Sequence, residues 1–223
     1  MIKKSAILNP NYKTCGDHSV EAGRGTSGQI GWYVLASKFC KNQSVLDVGC
    51  GLGKGLEILS KVSKKAYGIE IDERLKKPNV EIKDISQVPT KSVDTVLAID
   101  VIEHIEDDIR FIEHLMRVAH YQILISTPNY TAGRCKWPYH VREYMPHELF
   151  KIFSKYINKD KIQIYKGTPR GDKYFLVKHR NIYFIFNKLR VFWLTSFITR
   201  CINYVLPLRA KIHSHLFFRI LLD

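Results

Sequence analysis

The chain has little of what marks disulfide-stapled, zinc-bound or secreted proteins. Its five cysteines, Cys15, Cys40, Cys50, Cys135 and Cys201, are odd in number and include no CxxC spacing. That argues against a disulfide framework and a zinc knuckle and predicts a reducing, cytoplasmic setting. The opening MIKKSAILNPNYK has no apolar core of leader length before Asn9, Pro10 and Asn11 interrupt it, so no secretion is expected. Internal repeats and low-complexity tracts are absent. Acids are scarce: 21 Asp plus Glu face 35 Lys plus Arg, a formal net charge of +14. Such a balance favours an anionic partner, whether nucleic acid, phospholipid surface or phosphorylated substrate, without choosing among them. Hydrophobic residues make up 45% of 223 positions, enough for one domain with a real core and an appendage.

What is present is a rhythm. Runs rich in Val, Ile and Leu at 44–48, 66–71, 80–83, 93–99 and 122–126 alternate with longer mixed segments, which predicts an α/β domain with a largely parallel sheet. Ile105, Ile109, Ile112, Leu115 and Met116 fall at helical spacing, with acids early and His and Arg late, as a sheet-covering helix prefers. Pro146 suits a first helical turn, and 162–167 and 174–179 read as a terminal hairpin joined through TPRGD.

From residue 181 the composition changes to aromatic and aliphatic, with six Lys or Arg and a single acid at position 223. The expected division is therefore a domain over 1–180 and an amphipathic helical extension over 181–223. Pro207, Thr195, Ser196, Thr199 and Asn203 argue against a clean membrane span there. Phe192, Trp193, Phe197, Phe217 and Phe218, with Lys188, Arg190, Arg200, Arg209, Lys211 and Arg219, suit an anionic bilayer surface. A packed subdomain or a dimer face explains the same residues.

VLDVGCGLGKG, positions 45–55, is a strand-like run that ends in an acid and breaks into alternate glycines. Gly49, Gly51 and Gly53 let the backbone turn tightly and bring N–H groups against a ligand. Neither register gives GxGxxG, and Lys54 is followed by Gly55 rather than Ser or Thr, so the dinucleotide fingerprint and the P-loop both fail.

Asp47 to Gly53 resembles the first motif, an acid followed by GxGxG, of the class I S-adenosylmethionine-dependent methyltransferases. The resemblance implies a Rossmann-like, mostly parallel seven-stranded sheet flanked by helices, here with the basic, aromatic C-terminal extension. It implies S-adenosyl-L-methionine as cofactor, with Asp47, Gly49, Cys50, Gly51 and Gly53 at the turn. Glu70 would meet the ribose hydroxyls, Asp84 the adenine amine beside the Ile85 N–H, and Asp100 and Val101 the methionine portion. Two ribose hydroxyls are donors that suit one carboxylate, and the amine is a donor that suits another. Glu70 and Asp84 can also be read as solvated loop acids, Asp100 and His104 as helix caps, and Cys50 as a small buried residue. Tyr33 stands where related enzymes place a lid aromatic, and core packing explains it equally.

On the acceptor side, TPN (127–129) and HVREY (140–144) are similar to segments of methyltransferases acting on glycans, lipid-linked intermediates and other small metabolites. Glu103 and Arg142 would contact the acceptor, and His104 or His140 would take a hydroxyl proton; His140 as a loop contact and Arg142 as an ion-pair partner are the ordinary readings. Asp100-Val-Ile-Glu103-His104 with His140 also resembles the metal site of small-RNA 2′-O-methyltransferases. No metal is assigned on that basis; if Mg²⁺ or Mn²⁺ binds, Asp100, Glu103, His104 and His140 are the ligands. The expected function is methylation of a hydroxyl on a small, glycan or lipid-linked acceptor. RNA 2′-O-methylation and a noncatalytic membrane- or partner-binding scaffold are the alternatives.

Overall fold

The computed structural model describes residues 29–130, 140–191, 201, 204, 206, 207, 209 and 213–222. Cys15, Cys135, Phe192, Trp193, Phe197, Arg200 and Lys211 lie outside them. The elements are α1 (Ile30–Ser37), β1 (Ser44–Val48), α2 (Lys54–Leu59), β2 (Lys65–Glu70), β3 (Val80–Ile82), β4 (Val93–Ile99), α3 (Asp108–Val118), β5 (Ala119–Pro128), α4 (Pro146–Phe153), β6 (Ile162–Gly167), β7 (Tyr174–Leu176), α5 (Arg180–Val191) and β8 (His215–Leu221).

All eight strands form one sheet in the order β3-β2-β1-β4-β5-β8-β6-β7. Strands β1 to β5 are parallel, and the winding reverses between β1 and β4. Side chains alternate across each strand, so Val45, Leu97, Leu124 and Phe217 share one face with α1 and α2. Leu46, Val96, Ile123, Ile125 and Phe218 share the other with α3, α4 and Tyr183 of α5. Helix α3 presents Phe111, Ile112, Leu115 and Val118 inward, and its N-cap Asp107 accepts from the Arg110 N–H. Pro146 opens α4 as the sequence predicts.

The C-terminal segment departs from expectation. The sheet has eight strands rather than seven, and β8 runs antiparallel between β5 and β6, in the interior of the sheet. The predicted hairpin forms as β6 and β7, yet it is the edge beyond β8 and not the end of the sheet. Phe217 and Phe218 are wholly buried, one on each face, so they are core residues and not an interfacial apolar surface. The Arg219 guanidinium lies over the Phe39 ring, and its Nε donates to Gln122 Oε1 of β5 at 2.8 Å. A residue counted from sequence as a headgroup contact instead fastens the last strand.

Candidate active site

The carboxyl ends of β1 to β5 carry the residues singled out by sequence, on both sides of the β1/β4 reversal, where open α/β sheets bind ligands. At β1 the chain leaves Asp47 and turns through Gly49, Gly51 and Gly53, all at positive φ (69°, 53° and 72°). A Cβ on Gly51 would meet nothing within 4 Å among the described residues, whereas one on Gly49 would lie 2.7 Å from Val101 Cγ2. The Gly51 position is therefore open, and Val101 seals the turn from below at Gly49. Cys50 is buried and its thiol is pushed up by that burial, which makes it a packing residue and no nucleophile.

Glu70 ends β2 and fixes the turn: Oε2 accepts from the Gly51 N–H at 3.0 Å and Oε1 from the Ile71 N–H at 2.8 Å. Each oxygen keeps capacity for a further donor. Asp84 caps the short 3-10 turn Ile85–Gln87 through Oδ1 on the Ser86 N–H at 2.8 Å, with the Gln87 side chain accepting from the Asp84 N–H. Ile85 is buried beneath it.

Asp47 is fully buried; Oδ2 accepts from Tyr33 Oη at 2.9 Å, and Oδ1 has no hydrogen-bond partner among the described residues. Tyr33 is thus a core residue that orients Asp47, its ring packed where a Cβ on Gly55 would lie. Burial raises the Asp47 carboxyl to about 7, against the lowering effect of the Tyr33 hydrogen bond. An acid whose folded pKa is raised favours the fold below its unfolded value and loses that contribution as pH climbs through the folded one. In the ligand-free protein Asp47 therefore lowers stability between about pH 4 and pH 7, by on the order of 4 kcal/mol. Asp47→Asn, which keeps an acceptor for Tyr33, is expected to gain stability over the parent at pH 8 and not at pH 4, by urea unfolding. An equal effect at both pH values contradicts this.

Asp100 follows β4 at φ 54°. Its Oδ1 accepts from Ser126 Oγ at 2.5 Å and pairs with His215 Nε2 at 2.7 Å. Burial works against its charge, but His215, Ser126 and Gln29 together hold the carboxyl below the ordinary range. His215, at the start of β8, is stacked on Trp32 of α1 at 5.6 Å. Sequence reasoning missed His215, because nothing in HSHLFF indicates a strand returning to the site.

On the acceptor side, Glu103 is buried; Oε2 accepts from Thr127 Oγ1 at 3.1 Å, and Oε1 has no partner among the described residues. Burial first, and the Asp100 charge second, push its carboxyl well up. The Glu103 carbonyl accepts from the Val141 and Arg142 N–H groups at 2.8 and 3.2 Å. This docks the 140–144 segment against the turn and sets the His104 and His140 rings edge to face, 4.9 Å apart. His140 Nδ1 lies 2.9 Å from Glu143 Oε1. An ionised carboxylate only accepts, so Nδ1 carries the proton and Nε2 becomes the basic nitrogen. Arg142 is engaged by Asp108, which also accepts from Tyr144 Oη at 2.7 Å. The ion-pair reading of Arg142 is thus present in the structure.

One ligand atom each from Glu103, His104 and His140 lies within 4.8 Å of the others. Asp100 is not in this group; its Oδ1 is engaged by His215 and Ser126. The four-residue candidate set thus reduces to three.

Residues 33–163 match the family model described as a methyltransferase domain, more than half of the chain. The chain belongs to that methyltransferase domain family. A protein of Mycolicibacterium smegmatis named "probable S-adenosylmethionine-dependent methyltransferase" is 32% identical over 130 residues, 51% of each chain. The chain thus spans about half the length of this curated relative. Among solved structures, one from Thermotoga maritima described as a "SAM-dependent methyltransferase, possible histamine N-methyltransferase" superposes with TM-score 0.63 at 10% identity, over 93% of this chain and 98% of that one. The plantazolicin methyltransferase BpumL, in complex with SAH, gives TM-score 0.59 at 17% identity over 99% and 93%. These two likenesses establish the class I methyltransferase fold, and the matched span runs from Tyr33, through the glycine turn, into β6.

Proposed function

We propose that this methyltransferase domain moves a methyl group from S-adenosylmethionine to a hydroxyl of a small metabolite, glycan or lipid-linked acceptor. The carrying observation is the open Gly51 position beside Glu70 and the buried, half-unpaired Asp47. Backbone N–H groups, a carboxylate facing a pair of ribose hydroxyls and an acid near a cationic donor match that ligand in chemistry. The names of the relatives support the same donor. Bound S-adenosylmethionine would supply an electrophilic methyl group whose transfer to the acceptor oxygen would leave a neutral sulfide, with the hydroxyl proton passing to a base. Alignment of acceptor and methyl supplies much of the acceleration. His140, oriented by Glu143, takes the proton at Nε2.

A cation-assisted version draws on Glu103, His104 and His140. The orphaned Glu103 Oε1 fits a ligand role, and a divalent ion there would lower the pKa of the acceptor hydroxyl. The test is transfer of labelled methyl to panels of hydroxylated metabolites, glycans, lipid-linked precursors and small RNAs, with and without chelator. His140→Gln should lower kcat by about a hundredfold or more while cofactor affinity stays within about twofold. Turnover unchanged in excess chelator removes the cation. Label entering only RNA replaces the proposed acceptor class, and donor binding without turnover on any panel returns the chain to a scaffold role.

A further inference from the structure

Helix α5 turns one face into the protein and leaves the other uncovered by the described residues. Tyr183 and Asn187 are buried, whereas Ile182, Ile185 and Phe186 are 56%, 58% and 51% exposed. Spacings of three and four place those three on one ridge, and Leu176, at the end of β7, is exposed as well. Single exposed apolar side chains are ordinary, but a ridge of large ones calls for a partner.

The sequence that carries the ridge has charge of one sign. Between Asp172 and Asp223 the sequence carries nine Lys or Arg and no acid. Lys178, His179 and Lys188 are exposed, and Lys188 bears on His147 together with Lys151 of α4. Glu148 is the acid beside them. A second copy of the chain would set cations against cations across the ridge. Phosphate groups of a nucleic acid would meet the lysines but leave Ile182 and Ile185 with nothing to bury against. Anionic lipid satisfies both halves, since headgroups take the cations and acyl chains take the ridge. No helix among the described residues is long and apolar enough to cross a membrane.

We infer that α5 docks the protein on an anionic bilayer, with Ile182, Ile185 and Phe186 entering the interface and Lys178 and Lys188 meeting headgroup charge. This moves the docking surface away from Phe217 and Phe218, which the sheet consumes. It concerns where the domain works and stands independently of the methyl-transfer reading.

The test is cosedimentation of the full chain with vesicles of phosphatidylcholine mixed with phosphatidylglycerol, against phosphatidylcholine alone. Binding to the mixed vesicles is expected, weakening as salt rises from about 0.1 to about 0.5 M. I182N/I185N/F186N should reduce partitioning about tenfold or more, and K178E/K188E by a similar factor. Cofactor affinity, measured separately by calorimetry, should hold for both, which separates failure here from failure of the methyl-transfer proposal. Melting curves report folding; K178E/K188E carries the test alone if the triple variant fails to fold. Equal binding to both vesicle types, parent-like partitioning of the charge variant, or a dimer that these substitutions dissociate would each overturn the inference, as would binding to RNA without binding to lipid.

Discussion

Gly51→Val is expected to lose S-adenosylmethionine and its demethylated product by about a hundredfold or more, some 3 kcal/mol of binding, while keeping a cooperative fold. The substituent would project where nothing among the described residues lies within 4 Å, so the expected collision is with ligand. The positive φ of 53° there costs a side chain roughly 1–2 kcal/mol of stability. Gly55→Ala provides the contrast, because its Cβ would fall 2.1 Å from Tyr33 Cε1. That change must displace either α2 or the tyrosine that orients Asp47, and it should damage fold and binding together. Calorimetry and thermal melting on the two variants read the difference. Parent-like cofactor affinity in Gly51→Val would remove the proposed pocket.

Phe217→Ala and Phe218→Ala should each cost about 3–5 kcal/mol, a large share of the roughly 5–15 kcal/mol that holds a typical domain together. Phe217 stacks on Trp32 at 5.7 Å and 10° between ring planes, and Phe218 pairs across to Ile125 and Ile164 in the other core layer. Neither cavity opens to solvent, because both side chains are 0% exposed. Denaturant unfolding measures the loss. If both variants unfold like the parent and only membrane partitioning falls, β8 does not sit inside the sheet.

The first half of the site was legible because its chemistry is local. An acid closing a strand, three glycines at alternate positions and an acid at each following strand end are contiguous signals, and the structure lines them along one edge of the sheet. The acceptor side was half legible: His104 and His140 do come together, but Arg142 is drawn to Asp108, a partner more than thirty positions away that spacing cannot reveal. The last strand was not legible at all. A strand buried on both faces reads as an unbroken apolar run, as an amphipathic or buried helix segment can, and a basic residue within it suggested a surface. Arg219 resolves the ambiguity only through Gln122 and Phe39, contacts that exist once the chain has closed. His215 follows the same logic, since its partner Asp100 lies 115 residues away.

The place of β8 also sets a timetable for synthesis. Strand β5 ends at Pro128 and its neighbour β8 begins at His215, 87 positions later. A ribosome adding roughly 5–20 residues per second would need about 4–17 s to make that stretch. Through that interval the nascent chain carries β5 with an open hydrogen-bonding edge, and β6 emerges with only the three-residue β7 to pair with. Such edges invite pairing with other chains. A nascent-chain binder that covers apolar strands would find its longest engagement here, after the glycine turn has emerged and before the residues that complete Asp100's surroundings have been made.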